Sequence, residues 1–220
     1  MKRSLKIIVA FFIAVVIVGS VIVISLTSNS DLTVSPQTIS SSSAGSSGLE
    51  LTLETSSNNT TQGNNISISL SVTNPTFEQI SLNAPTEWSN YVKDGFAIGP
   101  CSYLPYGIMI AEGNYSLNTM NDATSLMLYE PGVYFCSAIP AVSSFVFESH
   151  SSTVKLYYNG DSGSQLQGTS NFDTSMNISG YWTGSNSSNS VFHDFSPGIY
   201  TVFGADGWGQ VSVLHFIVKE

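Results

Sequence analysis

The chain has 220 residues, of which 42% are hydrophobic and only 10% charged, well under the roughly 25% charge of a soluble domain. With ten Tyr and twelve Phe, that composition excludes intrinsic disorder. Lys2, Arg3 and Lys6 precede a long apolar run, whereas three lysines and all fifteen acidic residues follow it, a net −12 that excludes nucleic acid and anionic lipid headgroups as partners.

Residues 1–6 read as a basic cytoplasmic tip. Ile7 to Leu26 are twenty uncharged residues, long enough as a helix to span a hydrocarbon core of about 30 Å. Cations before the run and none after it until Lys93 place the N-terminus in the cytoplasm. Val18-Gly19-Ser20 offers a signal-peptidase site, but the apolar run continues past it to Leu26. The expectation is an uncleaved transmembrane anchor, residues 7–26, in contact with the lipid bilayer, and a single-pass protein whose C-terminal domain is extracytoplasmic. A lysine-poor exterior rich in Ser, Thr and Asn would suit an acidic medium, where protonated carboxylates leave few charges.

Residues 27–48 include nine Ser among 22 and lack a hydrophobic period. They read as a flexible linker with an r.m.s. reach of about 25 Å. Leu32, Val34 and Ile39 leave open a short strand there that pairs with a sheet edge.

From Leu49 the signal is β. Leu49–Glu54 and Ile66–Val72 alternate apolar and polar residues with period two, separated by a turn-rich Thr55–Asn64. Further strands are expected at Gln79–Leu82, Gly107–Ala111, Ser125–Tyr129, Val133–Cys136, Ser144–Glu148, Thr153–Tyr158, Ser175–Tyr181, Ile199–Phe203 and Val211–Val218. Asn159-Gly160-Asp161 signals a turn. No helical stripe follows Leu26. Residues 49–220 are therefore expected to form one mainly β domain, an antiparallel β-sandwich of Greek-key, Ig-like or cupredoxin-like topology. Pro131-Gly132-Val133-Tyr134-Phe135 and Pro197-Gly198-Ile199-Tyr200-Thr201 share a pattern in which Pro-Gly turns the chain into a strand. The tyrosine of such a pattern buries its ring and bonds its hydroxyl to a neighbouring loop.

Cys101 and Cys136 are the only cysteines and, outside the cytoplasm, are expected to form a disulfide. Chain entropy gives such a bridge about 3–4 kcal/mol. The strand before Cys136 resembles that leading to the ligand loop of cupredoxins, but those place a His within a few residues of the Cys. Here the next is His150, so copper is not expected. His150, His193 and His215 do not have metal-ligand spacing, and alternation puts His215 on the strand face opposite Leu214 and Phe216. There is no Gly-x-Ser-x-Gly elbow, no phosphate loop and no argued carboxylate pair. No catalytic residue, metal or cofactor is expected. Asn58, Asn59, Asn65, Asn114, Asn177 and Asn186 begin Asn-x-Ser/Thr sequons and are candidate N-glycosylation sites. Trp182 and Trp208 stand beside turn glycines, where each either contacts a sugar or partner or plugs the end of the domain; the plug is the favoured reading.

Phe195-Ser196-Pro197-Gly198-Ile199-Tyr200-Thr201-Val202, then Asp206-Gly207-Trp208-Gly209-Gln210 and Leu214-His215-Phe216, carry a family resemblance together with Ile98-Gly99-Pro100-Cys101 and Gly180-Tyr181-Trp182-Thr183-Gly184. Over about residues 49–220 the chain resembles an uncharacterised family of small membrane-anchored exported β-domain proteins, mainly archaeal. The resemblance implies an exported β-domain and carries over no functional residue. The expected role is structural or interactive at the cell surface, with an envelope protein or a glycan as partner. Two alternatives stay open, an archaeal pilin-like filament subunit and a carbohydrate- or ligand-binding ectodomain.

Overall fold

The computed structural model describes residues 39–86, 88, 95–101, 104–135, 141–158 and 166–220. They belong to one compact unit, Pro36–Glu220. The basic tip, the expected anchor 7–26, the first part of the linker, Cys136 and the Asn159-Gly160-Asp161 turn lie outside the described residues. Among the described residues no helix is long and apolar enough to cross a membrane.

The chain is mainly β. In order the strands are β1 Ile39–Ala44, β2 Glu50–Thr55, β3 Asn59–Thr61, β4 Ile66–Thr73, β5 Ile80–Asn83, β6 Tyr106–Glu112, β7 Val142–Phe147, β8 Thr153–Tyr158, β9 Leu166–Asn171, β10 Asp173–Ile178, β11 Gly180–Thr183, β12 Val191–Asp194, β13 Gly198–Asp206 and β14 Val211–Lys219, with one 3-10 turn at Leu117–Asp122. The first sheet runs β1-β2-β4-β10, the second β3-β14-β13-β6 and the third β5-β7-β8-β9, while β11 and β12 form a separate hairpin. All pairs are antiparallel except β3 with β14, which is parallel.

Period-two patterning explains the core. Leu51 and Leu53 of β2 and Ile66, Ile68, Leu70 and Val72 of β4 are buried, while the residues between them face outward. They share one cluster with Ile108 and Ile110 of β6, Tyr200 and Val202 of β13, and Leu214 and Phe216 of β14. Each such side chain contributes about 1.5–3 kcal/mol on burial. Gly204 of β13 marks a close approach of the two sheets, since a methyl there would stand 2.5 Å from Leu70 and 3.2 Å from Leu53. The other face of the second sheet buries Phe203, Ala205 and Met109 with Phe96 and Trp88.

Four expectations are corrected. The linker does not extend to Gly48: Ile39–Ala44 is β1, paired with β2 along its whole length. Ser41 and Ser212 hold it down, their hydroxyls 3.1 Å apart and the Ser212 hydroxyl donating to the Ser41 carbonyl at 3.0 Å. An edge strand needs backbone partners more than apolar side chains, so a run of serine disguised it. Ser125–Tyr129 is not a strand: it pairs through isolated bridges of Ser125 to Ala111 and Met127 to Trp182, with Leu126 and Leu128 packed against the core. Val133, Tyr134 and Phe135 lie in no strand. Ser175–Tyr181 is in turn two strands, broken at Ser179, whose carbonyl accepts the Phe195 N–H. β3, β9 and β12 arise where no strand was expected. β3 is three residues of the Thr55–Asn64 connection captured by the end of β14.

Candidate functional site

The β11–β12 hairpin is built from two facing aromatic pairs, Tyr181-Trp182 and Phe192-His193. Gly180 opens it, and a side chain there would strike the His193 carbonyl. Gly184 leaves it with φ +106°, a conformation natural to glycine. The connecting loop is held by Asn189, whose side-chain oxygen accepts the N–H groups of Ser185 and Asn186, both at 3.0 Å. Trp182 and Phe192 are opposed across the strands with ring centroids 5.3 Å apart, edge to face. Tyr181 and His193 stack at 5.7 Å, and Tyr181 continues onto the buried Phe195.

The chain around this hairpin leaves apolar surface uncovered. Glu130 accepts a 3.0 Å hydrogen bond from the Ser190 hydroxyl, and Gly132 lies beside the Ser187 side chain. Beyond this anchorage Val133 is 89% and Phe135 99% exposed. Tyr134 is steadied by donating its hydroxyl to the Glu130 carbonyl. Met127, Val191 and Phe192 are each more than 40% exposed. The set is uncharged; Phe77, Leu117, Ile199 and Ile217 are exposed elsewhere.

Behind Met127 a cavity of about 300 Å³ is lined by Gly95, Ala97 and residues 125–129. It lies at the free edge of β6, where Ala97 bridges to Ile108 and Ser125 to Ala111. The Ser125 hydroxyl is spent on the Leu126 carbonyl at 3.3 Å. Burial pushes the Tyr129 hydroxyl above its ordinary pKa, so it stays neutral. Among the described residues lining the recess none is a His, Cys, Asp, Glu or Lys.

No family model, curated protein or solved structure matches this chain.

The remaining residues singled out from sequence are dispersed. Trp208 lies in the β13–β14 turn and plugs the core, its ring 5.4 Å from Phe145 and 5.5 Å from Phe147, with Nε1–H donating to the Asn83 carbonyl at 3.1 Å. Trp182 is half-buried within the hairpin. His215 lies on the face opposite Leu214 and Phe216, and Nε2 is 2.8 Å from the Tyr115 carbonyl. Because a carbonyl only accepts, that nitrogen carries the proton. His150 adopts φ +49° and meets the exposed Phe77 edge to face at 4.3 Å. Among the described residues no three His, Cys, Asp or Glu side chains gather closely enough to hold a metal ion. Cys101 lies half-buried in the turn after Pro100, and its expected partner Cys136 is outside the described residues. Asn65, Asn114, Asn177 and Asn186 are exposed; Asn58 and Asn59 are half-buried, and the Asn59 amide donates to the Asn58 side chain at 2.7 Å.

Sequence reasoning missed Asp206. Its carboxylate is fully buried and accepts the N–H groups of Trp208 and Gln210, both at 2.9 Å, and the Gln210 side-chain amide at 2.7 Å. Gln210 also donates to the Ser47 hydroxyl at 3.3 Å, tying the β13–β14 turn to the β1–β2 turn. Burial outweighs these bonds and pushes the Asp206 carboxyl up to about 6. The Asp-Gly-Trp-Gly-Gln run carried the signal, since Asp, Gly and a polar residue in one turn favour side-chain to backbone bonding; only its tryptophan was read.

Proposed function

We propose that the chain is a membrane-tethered, cell-surface β-sandwich of Ig or cupredoxin kind whose role is contact rather than catalysis. The observation that carries this reading is the uncharged, exposed set Met127, Val133, Phe135, Val191 and Phe192 around one aromatic hairpin. Exposed apolar side chains gathered about one element mark an interaction site. The Thr183 hydroxyl and His193 Nε2, 2.9 Å apart on the same hairpin, are solvent-exposed. The common core of the β1-β2-β4-β10 and β3-β14-β13-β6 sheets supports the sandwich. The Cys101–Cys136 disulfide, glycans on the exposed sequons Asn65, Asn114, Asn177 and Asn186, and kinship with the membrane-anchored archaeal family belong to the same proposal.

Photo-crosslinking in intact cells tests the contact role. A benzophenone side chain at Phe192 should give discrete adducts, and one at the exposed Gln167 of β9 should give none. Equal yields from both positions would reject a dedicated contact surface.

A further inference from the structure

The placement of the hairpin points to what covers its apolar side chains. β1 runs in the direction of β4, because β2 lies antiparallel between them. The chain preceding Ile39 therefore leaves the first sheet at the Ile66 end. β10, antiparallel to β4, runs toward that same end, where Ile178 faces Ile66. β11 begins two residues later at Gly180, paired with Asp194. β1 and β10 are three strand spacings apart, about 15 Å. Trp182 and Phe192 stand two residues from the hairpin base, within about 7 Å of it.

Twelve residues separate Leu26, the end of the expected anchor, from Ile39. They span at most about 43 Å, with an r.m.s. reach of about 20 Å. A tether of that length allows the hairpin base to reach the bilayer that residues 7–26 are expected to span. Val133 and Phe135 stand almost fully exposed on a segment that joins no sheet, which suits insertion between lipids better than seating of a folded partner. Trp182 and Tyr134 are of the amphipathic aromatic type that concentrates at membrane interfaces. The net −12 after the anchor opposes anionic headgroups, so the surface must be neutral.

We propose that Val133 and Phe135, flanked by Met127, Val191 and Phe192, dip into the neutral outer surface of the chain's own membrane and dock the domain on it. This rests on the reading of residues 7–26 as an uncleaved anchor. The test uses the full chain in nanodiscs of zwitterionic phosphatidylcholine, with benzoylphenylalanine replacing Phe135 and, as control, Gln167. Replacing Phe135 by a larger phenylalanine at a fully exposed position leaves the fold intact. Mass spectrometry should find lipid adducts from position 135 at least ten-fold above those from position 167, and several-fold fewer in anionic nanodiscs. Failure of the chain to co-elute with nanodiscs would remove the anchor reading and this proposal with it. A chain that co-elutes but gives no lipid adduct at position 135, or adducts only to a second copy of itself, overturns this proposal alone. Equal yields in anionic and zwitterionic discs overturn the assignment of neutral headgroups.

Discussion

Pro197–Thr201 and Pro131–Phe135 share a local pattern and end in opposite environments. In both, Pro-Gly is followed by a β-branched residue and a tyrosine whose hydroxyl donates to the carbonyl just before the proline, Ser196 in one and Glu130 in the other. Tyr200 is nevertheless fully buried, stacked on Phe216 at 5.3 Å and tilted against Phe195 at 4.7 Å. Tyr134 is 42% exposed in a segment that joins no sheet. The hydroxyl bond is a product of five consecutive residues. Burial requires more: β13 has β14 on one side and β6 on the other. The run after Thr201 continues Val202-Phe203-Gly204-Ala205, whereas the run after Phe135 reaches Pro140, which brings no N–H to a ladder.

The largest test of this difference is truncation of the two tyrosines. Tyr200→Ala should cost about 3–5 kcal/mol, and Tyr134→Ala no more than about 0.5 kcal/mol. Thermal unfolding of the full chain in detergent should show a fall of roughly 10 °C for the first and almost none for the second. Equal shifts would mean that Tyr134 also supports the core.

A pH series sharpens the contrast from the other end of β13. Asp206 has its folded-state pKa raised to about 6, above the unfolded value near 3.9. The folded state therefore holds the proton more tightly. The stability this provides is fully present below about pH 4 and is lost as pH rises through about 6. The loss amounts to about 3 kcal/mol. Urea midpoints at pH 4 and pH 7 should differ in that direction. Asp206→Asn should flatten that component while preserving the turn, because its oxygen still accepts from Trp208 and Gln210. The Gln210 Oε1, buried without a hydrogen-bond partner, can then rotate to accept from the new amide. A rise in stability with pH at this residue would show that the hydrogen bonds outweigh desolvation.

A methyl group probes close approach in the same two regions. Gly204→Ala should cost about 1–3 kcal/mol by overpacking against Leu70 and Leu53. Gly132→Ala should change little, since its nearest neighbour would be the Ser187 side chain at 3.9 Å. Similar midpoint shifts for both would contradict the packing described for the two sheets. The smallest effect is removal of one hydroxyl. Tyr200→Phe should lose about 1 kcal/mol with its 3.0 Å bond to Ser196, and Tyr134→Phe should be silent.

The parts legible in the sequence were those where local pattern and global burial coincide. β4 was readable because Ile66, Ile68, Leu70 and Val72 alternate with Ser, and burial follows the same alternation. β8 was readable to the residue, Thr153–Tyr158. β1 was hidden because its pairing with β2 is a backbone matter to which four serines contribute no hydrophobic signal. β12 was hidden for the converse reason: all four of its residues are exposed, and only the facing β11 makes them a strand. Of the candidate site, Trp182 was visible as a tryptophan beside a turn glycine. Met127, Val191 and Phe192 were not, because each is ordinary in sequence and distinctive only through what leaves it uncovered.

By itself the sequence determined that residues 49–220 are predominantly β, that Leu51, Leu53 and the apolar residues of β4 turn inward, and that His215 turns away from Leu214 and Phe216. Side-chain alternation along a strand is a property of one chain segment and needs no partner to be read. Only the tertiary structure decided that the serine run is a strand, that Trp208 fills the core, that Asp206 is buried under three hydrogen bonds, and that one Pro-Gly-x-Tyr copy lies inside while the other stands in solvent. Those outcomes depend on which distant strand arrives alongside, and the free energy of burial belongs to both surfaces at once.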